Sequence, residues 1–444
     1  MFKRTVLSLS AVVWLLAGCQ SGDGRYDKAT SETEDTASTA IPVSLTQQEG
    51  KWLLLRDGEP YFIKGAGGSA DFAYLAAVGG NSVRTWSTEN ASRVLDSAQQ
   101  QGLTVMLGLS LGKERHGFDY DDADAVAQQK ERIRKTVLKY KDHPALLAWG
   151  IGNEVDLFYT NTNVWYAVQD IAAMIQKLDP HHLVTTVVAG INEEKAGLIA
   201  ERVPDIDYLS INIYGGLEDL PQTLKSIGYQ DAYVVTEWGP TGHWEIQKTD
   251  WGAPIEQTST EKAAIYQKRY QRGIAAAPKQ ALGSYAFLWG QKQETTPTWY
   301  GVFTDSGKPN EVVDALEFLW TGEWPSVRAP SINQFTLNDA VASDSIRVEA
   351  NSTVNAYVDL NIDDGQTVSF RWEILPESTD IKSGGDPESR PSAVTGRIIS
   401  HDNNGKMQFA APDDPGAYRL FVYAENQAGK VATANIPFWV NEGG

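Results

Sequence analysis

The chain has 444 residues, with 38 Lys and Arg against 57 Asp and Glu, which gives a formal net charge of −19 at pH 7. A surface this acidic repels phosphate groups, so it argues against a nucleic acid partner and against electrostatic binding to anionic lipid. The length allows a barrel of roughly 250 residues and a smaller second domain. The 14 Trp residues are more than a core requires, and surplus indole rings are typical of a ligand site.

Residues 1–18 have the pattern of a targeting segment and are excluded from the fold. Lys3 and Arg4 precede an apolar stretch, which ends in the sequence LAGC at Cys19. This ending resembles the lipobox of bacterial lipoproteins, whose signal peptidase cuts before the cysteine and leaves it acylated. We therefore predict lipidation at Cys19, which is the only cysteine of the sequence and so excludes an internal disulfide.

The residue after this cysteine predicts the membrane to which the lipoprotein is sorted. Gln20 stands there rather than Asp, which resembles lipoproteins that are sorted to the outer membrane. Loss of residues 1–18 removes two positive charges and no acids, so the net charge goes from −19 to −21. We expect attachment through the lipid alone, on the periplasmic face or the cell surface.

The mature chain is predicted to begin with a flexible tether over residues 19–45, because this stretch is rich in Ser, Thr, Asp, Glu and Gly and has almost nothing to bury. The sequence WLLLRDGEPYFIKG follows shortly after. It predicts two short strands around the turn Asp57-Gly58, the second strand running on to Gly65.

Short apolar runs then alternate with helical patterns, which is typical of a repeated βα unit. The predicted strands are Tyr61–Lys64, Ser82–Trp86, Thr104–Leu109, Leu146–Ile151, Leu183–Val188, Tyr208–Ile213, Ala232–Thr236 and Gly283–Leu288. The predicted helices are Ala70–Val78, Asn90–Gln101, Ala123–Tyr140, Val164–Leu178, Glu193–Glu201, Leu220–Ile227, Thr260–Ala276 and Pro309–Trp320. Eight such units predict an α/β fold, a (β/α)8 TIM barrel over residues 46–325. A doubly wound sheet is the alternative, but the first βα turn lacks the glycine spacing of a dinucleotide site.

Residues 326–444 have no long helical pattern. Short alternating runs at Ser345–Glu349, Thr367–Ile374, Gly396–Ser400 and Tyr418–Glu425 predict an immunoglobulin-like β-sandwich. Trp372 and Tyr418 are interpreted as a core tryptophan and a corner tyrosine, that is, as packing residues. The sandwich could bind glycan or could only brace the barrel.

Two predicted barrel strands end in a glutamate. The run Leu146–Ile151 is followed by Gly152, Asn153 and Glu154, and the run Ala232–Thr236 by Glu237. Because strands four and seven lie across the mouth of a barrel, both carboxylates would face one cavity. Two carboxylates across one mouth are what glycoside hydrolysis requires, one to protonate the leaving oxygen and one to attack or to activate water.

Residues at other strand ends fit the same chemistry. Arg84 could keep a nucleophilic carboxylate ionised, and Tyr214 could donate a hydrogen bond to it. Trp289 could form an apolar floor under a sugar ring, and Asn153 could hold the sugar 2-hydroxyl group.

This set of residues resembles the retaining glycoside hydrolases of clan A, over about residues 50 to 320. The resemblance implies that Glu154 is the acid/base, with Asn153 as its companion, and that Glu237 is the nucleophile. Arg84, Tyr214 and Trp289 match the clan's strand-two Arg, strand-six Tyr and strand-eight Trp. The GNEV and DGEPYFIKG sequences resemble families 2 and 72 and some members of family 5. The β-sandwiches that precede the barrel in family 2 are not recognised here, which argues against an ordinary β-galactosidase or β-glucuronidase.

Further polar and aromatic side chains fall in the predicted βα loops. His116 and His243 could touch a sugar hydroxyl or could simply be solvated. The acidic run at Asp119, Asp121, Asp122 and Asp124 lacks the Gly and the distal Glu of a calcium loop and is interpreted as a helix start. At least two of the loop aromatics are predicted sugar platforms, from the set Trp86, Trp244, Trp251, Trp299 and Tyr300. No metal or cofactor is expected, and the chain is expected to be a monomer.

The predicted activity is that of a retaining β-glycosidase acting on a neutral β-glucan or a related oligosaccharide, with a β-1,3 linkage favoured by the partial likeness to family 72. Two alternatives are a transglycosylase with the same site and a non-catalytic glycan-binding lipoprotein, which would have no use for both carboxylates. The retaining mechanism predicts carboxyl groups about 5 to 5.5 Å apart, whereas about 8 Å would indicate inversion.

Overall fold

The computed structural model describes residues 39–442. An antiparallel sheet comes first, made of β1 (Val43–Gln48), β2 (Lys51–Arg56) and β3 (Glu59–Pro60). The predicted turn at Asp57-Gly58 joins β2 to β3. Strand β1 begins inside the segment predicted as tether, because Val43 is buried and its N–H donates to the carbonyl oxygen of His181 at 2.7 Å.

The next eight strands close into a parallel barrel in sequence order, which confirms the predicted fold. They are β4 (Ile63–Gly68), β5 (Ser82–Arg84), β6 (Thr104–Leu109), β7 (Leu146–Ile151), β8 (Leu183–Ala189), β9 (Tyr208–Asn212), β10 (Tyr233–Trp238) and β11 (Ala281–Trp289). The prediction of β4 as Tyr61–Lys64 is displaced toward the N-terminus. Its glycines gave no strand signal, yet a Cβ at Gly65 would lie 2.4 Å from the ring of Tyr285, so only glycine fits there.

Within residues 39–442, eight helices surround the barrel close to the predicted positions. They are α1 (Phe72–Ala77), α2 (Ala91–Gln100), α3 (Ala123–Tyr140), α4 (Val164–Leu178), α5 (Glu193–Arg202), α6 (Leu220–Ser226), α7 (Ser259–Arg269) and α8 (Glu311–Thr321). A π-helical turn, Tyr270–Ala275, extends α7. The acidic run begins a helix as predicted, because the Asp122 side chain accepts from the N–H groups of Asp124 and Ala125.

Two four-stranded sheets form the C-terminal sandwich. Its strands are β12 (Ser331–Leu337), β13 (Arg347–Glu349), β14 (Thr353–Asn361), β15 (Val368–Pro376), β16 (Ile398–His401), β17 (Lys406–Ala410), β18 (Gly416–Asn426) and β19 (Val431–Asn441). One sheet has the order β12-β14-β17-β16 and the other β13-β19-β18-β15. Trp372 lies in the core between them, and the hydroxyl group of Tyr418 donates to the carbonyl oxygen of Asp414 at 3.0 Å, as in a tyrosine corner.

The sandwich packs on the barrel through a buried polar cluster centred on Glu256. One carboxyl oxygen of Glu256 accepts from Lys262 Nζ at 2.5 Å, and the other accepts from Asn435 Nδ2 of β19 at 2.5 Å. Thr298 also donates to Glu256, at 2.9 Å. Both oxygens of this carboxylate therefore accept hydrogen bonds, and one of these bonds joins the sandwich to the barrel.

Replacing Glu256 by alanine is expected to destabilise the protein by about 3–5 kcal/mol, because the buried Lys262 ammonium would lose its partner. Asn435→Ala should cost about 1–3 kcal/mol, since it removes only the sandwich side of the cluster. Urea unfolding measures both. The exposed hydrogen bond between Asn441 and Glu349 provides the control, since Asn441→Ala should change stability by less than about 0.5 kcal/mol. A Glu256→Ala variant as stable as that control would contradict the prediction.

Candidate active site

Glu154 and Glu237 line one cavity of about 970 Å³ at the carboxyl ends of the barrel strands. Glu237 is the last residue but one of β10, whereas Glu154 follows β7 by three residues. The backbone of Glu154 has φ 49°, a left-handed conformation that a non-glycine residue seldom adopts. Its N–H donates to the carbonyl oxygen of Val187 in β8 at 3.0 Å, which holds this turn against the barrel.

Three hydrogen-bond donors surround the carboxylate of Glu237. Oε1 accepts from Arg84 Nη1 at 2.9 Å and from Trp86 Nε1 at 2.7 Å. Oε2 accepts from the hydroxyl group of Tyr214 at 3.1 Å. Arg84 is itself only 1% exposed and also donates to the carbonyl oxygen of Thr236. A buried carboxylate that accepts from a guanidinium and two further donors is held in one position by charge-assisted hydrogen bonds.

The carboxyl group of Glu154 has a contrasting environment. It accepts a hydrogen bond from Asn212 Nδ2 at 3.0 Å. Burial, and then the negative charge of Glu237, raise the pKa of Glu154 to about 7, against the lowering effect of Asn212. Near neutral pH this group therefore holds a proton that it can give up.

Asn212 connects Glu154 to Arg84, the ion-pair partner of Glu237, and the sequence analysis missed it. Its Oδ1 accepts from Thr236 Oγ1 at 2.8 Å and from Arg84 at 3.4 Å, while its Nδ2 donates to Glu154 and to Asn153 Oδ1. The sequence feature that could have identified Asn212 is its position, since it places an amide side chain at the end of the apolar strand β9, two residues before Tyr214.

Asn153 lines the cavity beside Glu154. Its Oδ1 accepts from Arg84 Nη2 at 2.5 Å and from Asn212 Nδ2 at 3.2 Å. With the oxygen engaged, the amide NH2 group is the part of this side chain that can donate to a substrate hydroxyl.

The prediction that Trp289 forms the floor of the site is wrong. Trp289 is 1% exposed and packs against Tyr74 and Phe303, between the barrel and its helices. The pairing of β11 with β4 shifts register between Ala286 and Trp289, so the indole ring faces outward. Phe287 lines the cavity instead, in edge contact with Trp86.

His243 and Trp244 both line the cavity at the loop after β10. Burial, with Lys248 and Lys292, lowers the pKa of His243 to about 4, so its ring is neutral near pH 7. Nδ1 of His243 lies 3.2 Å from the hydroxyl group of Tyr300. Trp244 is 54% exposed and meets Tyr214 edge to face, which leaves a face of its indole ring open to a ligand.

The other predicted loop residues do not line the cavity. Trp299 and Tyr300 are buried, and Trp251 packs against Trp439 of the sandwich. His116 reaches Asp386 at 2.8 Å, again on the sandwich. Trp86 and Trp244 are therefore the two members of the predicted aromatic set that are positioned for a sugar.

Sequence reasoning also missed one wall of the cavity. Residues 382–387 line it although they belong to the sandwich. A contact between positions some 270 residues apart, such as that of Arg115 with Asp386, leaves no local pattern in the sequence.

Comparison with known proteins supports the assignment of the barrel. Residues 68–241, which include both glutamates, match the model of the glycosyl hydrolases family 2, TIM barrel domain. A β-glucuronidase of Paenibacillus borealis is 21% identical over 326 residues, which are 64% of this chain and 53% of that protein. A probable mannan endo-1,4-beta-mannosidase F of Aspergillus flavus is 24% identical over 210 residues, 40% of this chain and 43% of that protein.

Solved structures resemble the fold at lower identity. Bacteroides uniformis β-glucuronidase 2, covalently bound to cyclophellitol-6-carboxylate aziridine, has a TM-score of 0.50 at 13% identity and covers 90% of this chain and 48% of that one. Faecalibacterium prausnitzii β-glucuronidase has a TM-score of 0.50 at 17% identity, over 63% of this chain and 52% of its own. The chain thus spans about half the length of these relatives. Residues 68–241 are thus similar to the TIM barrel domain of the glycosyl hydrolases family 2, and the solved β-glucuronidases share the barrel fold of this chain.

Proposed function

We propose that the chain is a retaining β-glycosidase in which Glu237 is the nucleophile and Glu154 the acid/base. The observation that carries the proposal is the difference between the two carboxyl environments. Glu237 accepts from a guanidinium, an indole N–H and a phenol hydroxyl, which hold its carboxylate in place, whereas burial raises the pKa of Glu154 to about 7. Retaining hydrolysis needs one carboxylate that attacks and one carboxylic acid that protonates the leaving oxygen.

The reaction has two balanced steps. Glu154 gives its proton to the glycosidic oxygen, the bond from that oxygen to the anomeric carbon breaks, and a Glu237 oxygen forms a covalent ester with that carbon. A water molecule then attacks the anomeric carbon, Glu154 takes the proton of that water, and Glu237 leaves as a carboxylate. The NH2 group of Asn153 can donate to the sugar 2-hydroxyl, a contact that strengthens as the transition state forms.

The identity of the sugar is the finer part of the proposal. The neutral β-1,3-glucan favoured by the sequence gains no support from the relatives, which are named as glucuronidases and mannosidases. Lys113 supports an anionic sugar as a second candidate. It lines the cavity, and its ammonium group makes no ion pair with another residue among positions 39–442. Burial, and then Arg115, lower the pKa of Lys113, while Glu154 and Glu237 act in the opposite direction.

A panel of 4-methylumbelliferyl β-glycosides tests the function: the glucoside, mannoside, galactoside, xyloside and glucuronide. We expect turnover of at least one, with the β-anomer as the first product in proton NMR. An α-anomer as the first product would contradict the covalent mechanism, and binding without turnover would favour the glycan-binding alternative. Product elongation at high substrate concentration would identify a transglycosylase, since a sugar hydroxyl can intercept the same ester.

We also propose that Cys19 anchors the mature chain to the outer membrane through lipid. Cys19 and the targeting segment lie outside the described residues, and among residues 39–442 no helix is long and apolar enough to cross a membrane. Full-length protein expressed in a Gram-negative bacterium should incorporate labelled palmitate and fractionate with the outer membrane. Cys19→Ala should abolish labelling and release the protein from the membrane. Equal labelling of both forms would contradict the proposal.

A further inference from the structure

The connection between β15 and β16, residues 377–397, leaves the sandwich and reaches the mouth of the barrel. We call it the sandwich loop. Its residues 382–387 line the cavity that holds Glu154 and Glu237. A second domain therefore supplies one wall of the candidate active site.

One side of the sandwich loop is held by the barrel loop after β6. Arg115 makes a two-pronged ion pair with Asp386, at 2.6 and 3.2 Å, and also donates to the carbonyl oxygens of Ser383 and Gly384. The Arg115 side chain is only 10% exposed. His116 adds a contact to the same carboxylate at 2.8 Å. A bidentate, largely buried ion pair of this kind stabilises the sandwich loop and also holds it in a defined position.

The other side is held by the barrel loop after β11. Lys292 Nζ donates to the carbonyl oxygen of Gly385 at 2.7 Å, and the N–H of Thr295 donates to Glu388 at 2.6 Å. Gly384 has a φ of 63°, and a Cβ there would lie 2.7 Å from the Leu157 side chain. The sandwich loop thus packs closely on the barrel at both sides of the mouth.

The barrel loop between β4 and α1 is short and contributes nothing to the cavity wall. Only residues 69–71 separate β4 from α1, and none of them lines the cavity. The cavity lining also includes Ala189 and Gly190 at the end of β8 and the half-exposed Trp244 in the loop after β10, strands whose ends make no hydrogen bond to the sandwich loop among the described residues. A sugar chain that continued past the two glutamates would meet the sandwich loop on one side and open solvent beyond Trp244 on the other.

We infer that the sandwich loop closes one end of the substrate cavity, so that the enzyme removes sugars from the end of a chain rather than cutting inside it. The inference rests on the proposed function. It assigns to the sandwich a part in specificity, through a terminal-sugar pocket bounded by the Arg115–Asp386 pair.

Aryl glycosides of different length test this directly. The wild-type enzyme should release 4-methylumbelliferone at once from a β-monoside, and from the matching gluco- or manno-trioside only after a lag, while terminal sugars are removed. Prompt release from a trioside without a lag would overturn the inference but leave the proposed function intact. Failure to cleave any aryl glycoside would overturn the proposed function and the inference with it.

Variants of the Arg115–Asp386 pair test whether the sandwich loop causes the lag with the trioside. The quantity to compare is the initial rate of 4-methylumbelliferone release from the trioside divided by the initial rate from the monoside. Asp386→Ala and Arg115→Ala should each raise this ratio by about tenfold, the scale of one charged hydrogen bond. The double variant should have the same ratio as each single variant, because each substitution removes the same ion pair. Asp413→Ala removes an exposed sandwich ion pair with Arg397 and should leave the ratio unchanged. A wild-type ratio in both anchor variants would overturn the role of the sandwich loop.

Discussion

Glu237→Ala is expected to lower kcat/KM for an aryl β-glycoside by roughly 10⁴-fold or more, the scale seen when the nucleophile of a covalent mechanism is removed. Without this carboxylate no glycosyl ester can form. In the proposed mechanism the deletion leaves a space facing the anomeric carbon, so added azide should restore turnover and give an α-glycosyl azide. NMR of the product shows its configuration.

The Glu237 experiment needs a control for folding, because alanine would leave the buried Arg84 guanidinium without its ion pair. Glu237→Gln keeps an acceptor for Arg84 and for Trp86 and should be as inactive as the alanine variant. Tyr214→Phe removes one donor to the carboxylate and should cost only about 10- to 100-fold, as expected for a single hydrogen bond to a charged group. Activity of Glu237→Gln within tenfold of wild type would remove Glu237 from the nucleophile role.

The sequence allowed the barrel and the two carboxylates to be predicted, because both depend on local patterns. Buried parallel strands are read as apolar runs, and in a closed barrel the order of the strands then determines which strand ends face each other. Glu154 and Glu237 could be placed across one mouth on that basis alone. The same logic located Arg84 and Tyr214, whose strands end at the same face.

The remaining features depend on three-dimensional relations that no local pattern contains. Trp289 and Phe287 are both aromatic residues near the end of one strand, and a register shift between β11 and β4 decides which of them faces the cavity. Asn212 was interpreted as part of a strand, although its amide is what connects Glu154 to Arg84. The sandwich loop is distant in sequence from the barrel loops that it contacts.

The proposed acid role of Glu154 predicts how the activity depends on pH. Its pKa is raised to about 7, so the proton needed by the leaving oxygen is present below pH 7 and is lost as the pH rises through this value. The kcat/KM of the wild-type enzyme should therefore fall on the alkaline side of about pH 7 for a substrate with a poor leaving group. Because this pKa lies above the ordinary glutamate value of 4.5, Glu154 ionises more readily in the unfolded chain, so the protein should lose stability as the pH rises from about 4.5 to about 7.

Glu154→Gln separates the proton-transfer role from binding. Turnover of an alkyl β-glycoside should fall by about 10²- to 10⁴-fold, the contribution of general acid catalysis. A dinitrophenyl β-glycoside should form the glycosyl ester almost as fast as in wild type, because its leaving group needs no proton. The residual turnover of the alkyl glycoside should no longer fall above about pH 7. Asn212→Ala removes the hydrogen bond that lowers the Glu154 pKa, so it should move the alkaline limb to higher pH without abolishing it. An unchanged alkaline limb in Glu154→Gln would show that another group titrates, and Glu154 would then be a binding residue rather than the acid.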